Sequence, residues 1–232
     1  VIGGLRTGMA SSEVGAFGGA CYDPVRDVAW LASRASNARI SYWGGPADDT
    51  WTIPTGTTYE LGAGISLSYC PDLDLILVGD GGNSGVGSGP LTQSITGGWG
   101  VIDPATGVLY AQGLTGTYPT FSGAPALGSE WSTGLCPGLC QPQWAPSLGA
   151  FLAWDNSTGQ TTQVMRITPP SSGDARTSAW TVDYLTVSGS NATTPSVAQA
   201  NGTYGRFFVW DDAGICGVVN SVSEAGYFFR YR

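Results

Sequence analysis

Histidine and lysine are both missing from this chain of 232 residues, and all nine of its cations are arginine. Without His, no Ser-His-Asp or Cys-His apparatus can be assembled from these residues, and without Lys no Schiff base can form. Zinc or copper sites that rely on imidazole fall with the histidines. Charge of either sign is scarce, at 11%, and the balance is acidic, with a formal net charge of −8. That balance argues against nucleic acid as a partner, because neutralising phosphates needs a basic face and the arginines are scattered. No apolar run approaches the ~20 residues that cross a bilayer, so no membrane span is expected. Apolar residues nowhere recur at helical spacing across a long window, so amphipathic helices are not expected either.

What the chain does have is apolar, glycine-rich and punctuated. Hydrophobic residues make up 42%, enough for one sizeable core and too many for a disordered chain. The Gly (36) and Pro (14) fall between apolar runs rather than inside them, as turns demand. The expected class is all-β.

One short phrase recurs: an aromatic or apolar residue, a Pro or turn residue, Asp or Gly, then a run of mostly apolar residues. It reads Tyr22-Asp-Pro-Val-Arg-Asp-Val-Ala-Trp-Leu31 and Tyr69-Cys-Pro-Asp-Leu-Asp-Leu-Ile-Leu-Val78. It returns as Ile102-Asp-Pro-Ala-Thr-Gly-Val-Leu-Tyr-Ala111 and Trp144-Ala-Pro-Ser-Leu-Gly-Ala-Phe-Leu-Ala153, with a degenerate copy at Val209-Trp-Asp-Asp-Ala-Gly-Ile-Cys-Gly-Val218. Each copy predicts a strand end, a tight turn and a buried strand, that is, a hairpin. The turn positions Pro24, Pro71, Pro104, Pro146 and Asp211 are 47, 33, 42 and 65 residues apart. Propeller blades of four strands repeat at about 40 to 50 residues. The expected architecture is therefore one domain over 1–232, a small β-propeller of about five blades. The repeats are placed at 14–58, 59–97, 98–142, 143–203 and 204–232, and pairing of the N- and C-terminal strands would close the ring. Leu75 to Val78, an unbroken apolar run, is expected to be buried on both faces, and Thr177 to Val187 to alternate.

The phrase, together with Gly205-Arg-Phe-Phe-Val-Trp210 and Val219-Asn-Ser-Val-Ser-Glu-Ala-Gly-Tyr-Phe-Phe-Arg-Tyr231, resembles kelch or galactose-oxidase-like β-propellers. Repeats of this kind are found in bacteriophage virion proteins and bacterial surface proteins, so the resemblance implies a virion or extracellular location. The chain departs from true kelch repeats in having no clear Gly-Gly doublet before each inner strand, and the oxidase's copper ligands go with the missing histidines. No cofactor is expected.

The acidic residues are the remaining candidates for catalysis. Asp23, Asp72, Asp103 and Asp211 occupy turn positions, where an Asp side chain ordinarily holds its own backbone. Asp48 and Asp49 lie in a loop between Tyr42-Trp43 and Trp51, where flat rings could stack on a sugar while carboxylates accept from its hydroxyls. Tyr42, Trp43, Asp48, Asp49, Trp51 and Trp131 are thus the candidate ligand-binding residues, against the alternative that the aromatics fill space between blades. Calcium finds oxygen ligands at Asp72/Asp74 and at Asp80, but neither stretch matches an EF-hand loop, and solvated turns are expected there.

Five cysteines leave at least one unpaired within the chain. Cys136 and Cys140 could close a short disulfide or remain thiols; as metal ligands they lack two partners. Cys21, Cys70 and Cys216 sit in or beside hairpins and are expected to be buried thiols. Val1 stands where an initiator Met would, so the sequence is expected to be processed, trimmed or part of something longer.

These features point to a non-enzymatic virion or cell-surface propeller, a phage tail or fibre component, that binds a receptor, a glycan or a neighbouring subunit. Two alternatives have different signatures. An Asp/Glu-dependent carbohydrate-active enzyme would bring two carboxylates into one pocket. A purely structural assembly subunit would expose an apolar patch larger than an ordinary monomer leaves.

Overall fold

The computed structural model describes residues 19–33, 39–43, 51–52, 65–80, 99–111, 119–122, 141–155, 164–185, 195–196, 206–221 and 223–232. Within them the protein is all-β, with sixteen strands in four sheets and two single 3-10 turns. The first sheet holds β1 (Ala20–Asp23), β2 (Val28–Ser33), β3 (Arg39–Trp43) and β4 (Trp51–Thr52) in chain order. The second holds β5 (Ile65–Cys70), β6 (Leu75–Asp80), β7 (Trp99–Asp103) and β8 (Val108–Ala111). In the third, β10 (Gln143–Ala145), β11 (Ala150–Trp154), β12 (Val164–Thr168) and β13 (Trp180–Leu185) run in order, and β9 (Phe121–Ser122) joins β13 in parallel. The fourth is β14 (Phe207–Trp210), β15 (Ile215–Val218) and β16 (Tyr227–Arg230).

All five copies of the phrase are hairpins of one geometry. The last paired residues are Asp23 with Val28, Cys70 with Leu75, Asp103 with Val108, Ala145 with Ala150, and Trp210 with Ile215. Each loop opens on Pro24, Pro71, Pro104, Pro146 or Asp211, and proline's fixed φ suits that entry. Each closes on a left-handed residue: Asp27, Asp74, Gly107, Gly149 or Gly214, with φ of 54, 50, 73, 57 and 64°. Glycine adopts that conformation freely and Asp tolerates it.

The hairpins do not map one to a sheet. The second and third copies supply β5–β6 and β7–β8 of a single sheet, because β6 pairs with β7. Five phrases therefore give four sheets, and the short step from Pro71 to Pro104 is a spacing within one sheet.

The sheets pack face to face through three apolar clusters, one between each consecutive pair. Val28, Trp30 and Ala32 of the first sheet meet Ile65, Leu67, Ile76, Val78, Ile102 and Leu109 of the second. Leu75, Leu77, Trp99 and Val101, on the opposite face of the second sheet, meet Phe151, Ala153, Met165, Ile167 and Trp180 of the third. Leu152, Trp154 and Val164 meet Phe207, Cys216 and Val218 of the fourth. Period-two alternation thus sends Leu75 and Leu77 to one cluster and Ile76 and Val78 to another, which buries the apolar run on both faces. Trp180–Leu185 alternates as expected, buried at Trp180 and Val182 and exposed at Thr181 and Asp183. The leading strands also follow one another, β5 lying against β1, β10 against β5 and β14 against β10. At the β5–β10 contact Ser68 donates to the Pro142 carbonyl, and the Gln141 amide donates to the Leu67 carbonyl at 2.9 Å.

Candidate functional site

The five hairpin turns share one end of the stack, and their side chains join sheet to sheet there. Arg26 in the first turn reaches back to buried Asp23 at 2.8 Å and across to Asp74 in the second turn, with both guanidinium nitrogens on that carboxylate at 2.7 and 2.5 Å. The Trp144 indole N–H donates to Asp72 at 3.1 Å, tying the third sheet to the second, and Arg176 donates to Asp103 at 2.8 Å. Asp211 ties the fourth sheet to the third, accepting from the Ser147 N–H at 3.0 Å and the Ser147 hydroxyl at 2.6 Å. The Tyr231 hydroxyl adds a bond to the same carboxylate at 2.7 Å.

The turn aspartates therefore divide by role. Asp23 accepts from the N–H groups of Val25 and Arg26, and Asp103 from that of Ala105, each holding its own turn as expected. Asp103 also accepts from Arg176 beside the third sheet, and Asp72 and Asp211 bond to a neighbouring sheet. At the position equivalent to Asp23 the second hairpin has Cys70, whose sulfur takes backbone hydrogen bonds from Leu73 and Asp72. Partly exposed ion pairs contribute only about 0–1 kcal/mol each. A buried aromatic side chain contributes roughly 4–6 kcal/mol of transfer free energy. The clusters hold the sheets together, and the turn contacts orient them.

These contacts set the response to acid. The Arg26 guanidinium, then the Tyr69 hydroxyl, hold the Asp74 carboxyl below its usual range against the opposing effect of burial. Arg176 does the same to Asp174, and Arg166 to its cross-strand partner Asp183. For Asp211 burial pushes upward, but the bonds from Ser147 and Tyr231 outweigh it and the pKa falls. A carboxyl whose folded pKa lies below its unfolded value, about 3.9, stabilises fully above that value and loses its contribution as pH falls through the folded pKa. The expected melting temperature is flat from neutral pH to about 5 and declines below about 4. Calorimetry across a pH series checks this, and Asp74→Asn should make the acid decline shallower.

The thiols add nothing reactive in this range. Burial pushes Cys70 and Cys216 up to about 12, and burial followed by Asp23 raises Cys21 further. All three are free cysteines; Cys70 and Cys216 are the buried thiols the sequence implied, and Cys21 is partly buried. Cys136 and Cys140 lie outside the described residues.

Of the expected ligand-binding residues, Tyr42 is partly buried and packs on Trp30, with ring centroids 5.1 Å apart, in the core between the first and second sheets. Trp43 and Trp51 are paired across the start of the β3–β4 connection. That connection leaves from the end that carries the hairpin turns, whereas residues 81–98, between β6 and β7, leave from the opposite end. Asp48, Asp49 and Trp131 lie outside the described residues. At the end away from the turns, Glu224 accepts from the Ser196 N–H and hydroxyl at 3.3 and 2.7 Å, and buried Asn220 donates to the Ser196 carbonyl at 2.6 Å. Among the described residues no group of three or more acidic or cysteine side chains is placed to hold a metal, and no helix is long and apolar enough to cross a membrane.

The feature the sequence reading missed lies on the first and fourth sheets. The large hydrophobic side chains exposed among the described residues are Tyr22 (56%), Val25 (67%), Val108 (39%), Phe208 (40%), Trp210 (58%) and Phe228 (64%). All but Val108 belong to the first or fourth sheet. In the fourth, Phe207, Val209, Tyr227 and Phe229 point inward to the third sheet, which leaves Phe208, Trp210 and Phe228 outward. Phe208 and Phe228 meet edge to face, centroids 5.7 Å apart, over Gly217. A signal was present: Phe207-Phe208-Val209-Trp210 is apolar at every position, the pattern of a strand with something on both sides.

No protein-family model matches the chain, and no curated protein matches it.

Proposed function

We propose that this chain is a non-enzymatic binding component of a virion or cell surface, its sheets arranged as the blades of a β-propeller. The observation that carries the reading is where the exposed bulk lies: among the described residues, large apolar side chains are exposed mainly on the first and fourth sheets, the kind of surface that marks an interaction site. Three features support the propeller arrangement. The leading strands succeed one another, each consecutive pair of sheets shares a core, and the hairpin turns gather at one end. The carboxylates at that end are engaged in holding turns and joining sheets, which favours binding over acid–base chemistry. Loops on such a rigid frame are where recognition ordinarily sits, and the connection from Trp43 to Trp51, with Asp48 and Asp49, is the candidate glycan contact.

A glycan array probed with the full chain tests this reading. Saturable binding to a surface glycan is expected, weakened roughly tenfold or more by Trp51→Ala, with no reducing ends released from the bound sugar. Release of reducing ends that stops in Asp48→Asn or Asp49→Asn would make the protein an enzyme, and an array blank at all glycans would remove the sugar as ligand.

A further inference from the structure

Two fully buried polar atoms without a hydrogen-bond partner among the described residues face the same seam, between the third and fourth sheets. They are the Trp154 indole N–H and the Asn220 Oδ1. Trp154 ends β11 and packs in one cluster with Cys216 and Val218, its ring 5.3 Å from that of Phe229, centroid to centroid. Asn220 is placed by alternation: Cys216 and Val218 turn toward the third sheet, and Asn220 is the next position in that series. The Val219 N–H donates to the Arg206 carbonyl at 3.0 Å, which carries the β14–β15 ladder one residue past Val218. The levels agree as well. Trp154 is the fifth residue after left-handed Gly149 and Asn220 the sixth after left-handed Gly214, so both stand at the end of the stack away from the turns.

This position in the sheets takes polar side chains that need partners. Asp155, the sixth residue after Gly149, is also fully buried. Phe151 and Ala153 before it face the second sheet, and Asp155 accepts from the Tyr184 hydroxyl at 2.5 Å. Asn220 is satisfied at one end only. Its amide nitrogen donates to the Ser196 carbonyl at 2.6 Å, which fixes the orientation of the amide and turns Oδ1 away from Ser196. Ser196 itself is exposed, so solvent is one hydrogen bond away from Asn220.

We propose that the seam between Trp154 and Asn220 is a hydroxyl-binding site, in which one neutral O–H group accepts from the Trp154 indole N–H and donates to Asn220 Oδ1. An indole can only donate and an amide oxygen can only accept, so the guest must do both. A cation would meet the indole N–H and an anion the amide oxygen, each with the wrong sign. Roughly nine in ten buried polar groups are paired, because an unpaired one loses its hydration without return. The hydroxyl is that of water or of a saccharide. This site goes beyond the glycan contact proposed between Trp43 and Trp51, which lies at the other end of the stack.

Proton cross-relaxation NMR on the isotopically labelled full chain tests the site, with the Trp154 indole signal assigned through its own backbone. A cross-peak between that N–H and a held hydroxyl is expected, at the water frequency in buffer alone. Galactose, N-acetylglucosamine and sialic acid are then added in excess, one at a time. Replacement of the water cross-peak by one to sugar protons makes the guest a saccharide, and a water cross-peak unmoved by all three makes it a bound water; either outcome supports the hydroxyl site. Asn220→Leu is expected to abolish the cross-peak and Asn220→Asp, which keeps an acceptor, to retain it, with circular dichroism verifying that each variant is folded. A wild-type indole with no cross-peak to any hydroxyl overturns the proposal, and that result requires no variant. A cross-peak undiminished in folded Asn220→Leu also overturns it, because something else then holds the guest. The glycan array succeeds or fails separately, since it scores Trp51 at the turn end and the cross-peak scores Trp154.

Discussion

Phe151→Ala is expected to destabilise the fold by about 3–5 kcal/mol, the range for truncating a buried aromatic. Phe151 is fully buried at the centre of the second cluster. Its ring lies edge-on to Trp144, centroids 5.0 Å apart, and stacks at 6.4 Å on Trp180. The gap cannot easily close. β11 is held between β10 and β12, and its opposite face is pinned by Leu152 and Trp154 in the next cluster. Typical domains are stable by only 5–15 kcal/mol, so the loss is a large fraction of the total. Urea unfolding followed by fluorescence measures it, with Phe228→Ala on the exposed face as a comparison expected within about 0.5 kcal/mol. Equal midpoints for the two variants would mean that the second and third sheets are not packed as described.

The second large effect is expected at Gly19. Its carbonyl accepts from the Ala32 N–H at 2.9 Å, which carries the β1–β2 pairing one residue further. A Cβ there would stand 2.4 Å from the Ile65 carbonyl oxygen, and 2.9 Å from both the Leu67 nitrogen and the Ser66 Cα. All three are backbone atoms of β5, so no side chain can swing aside. Gly19→Ala must push the first sheet from the second, at about 1–3 kcal/mol, and Gly19→Val should cost more. Gly149 isolates the other reason for a glycine. Its φ is +57° and nothing lies within 4 Å of a built Cβ, so Gly149→Ala carries only the left-handed strain of about 1–2 kcal/mol. Thermal melts of the three variants separate crowding from strain: Gly19→Val should melt well below Gly149→Ala, and the reverse order would remove the close approach of Gly19 to β5.

The binding residues were less legible than the fold. Tyr42, a candidate ligand-binding residue with packing between blades as its alternative, packs on Trp30 against a core, whereas Trp210, read only as part of a repeat, is more than half exposed. Tyr42 is the last residue but one of β3 and Trp210 the last of β14, and each has an aromatic or apolar residue beside it. The difference is that Tyr42 belongs to a sheet face packed on its neighbour, whereas no sheet among the described residues covers the face of Trp210. Arg26 and Arg176 were invisible for a related reason: their partners Asp74 and Asp103 are 48 and 73 residues away, brought near by sheet stacking.

The hairpins were legible in the sequence alone. Proline at the loop entry in four copies and Asp211 in the fifth, Asp or Gly at the left-handed exit and apolar runs on either side are local preferences. The absence of helical periodicity likewise pointed to the all-β class. How the hairpins combine follows from long-range packing. Whether β6 pairs with β7, whether β9 crosses to β13, and which member of Phe207-Phe208 or Phe228-Phe229 turns inward are settled by long-range pairing and by which face finds another sheet. Strand alternation fixes that neighbouring side chains point opposite ways, and burial against a partner sheet fixes which of the two ways is in.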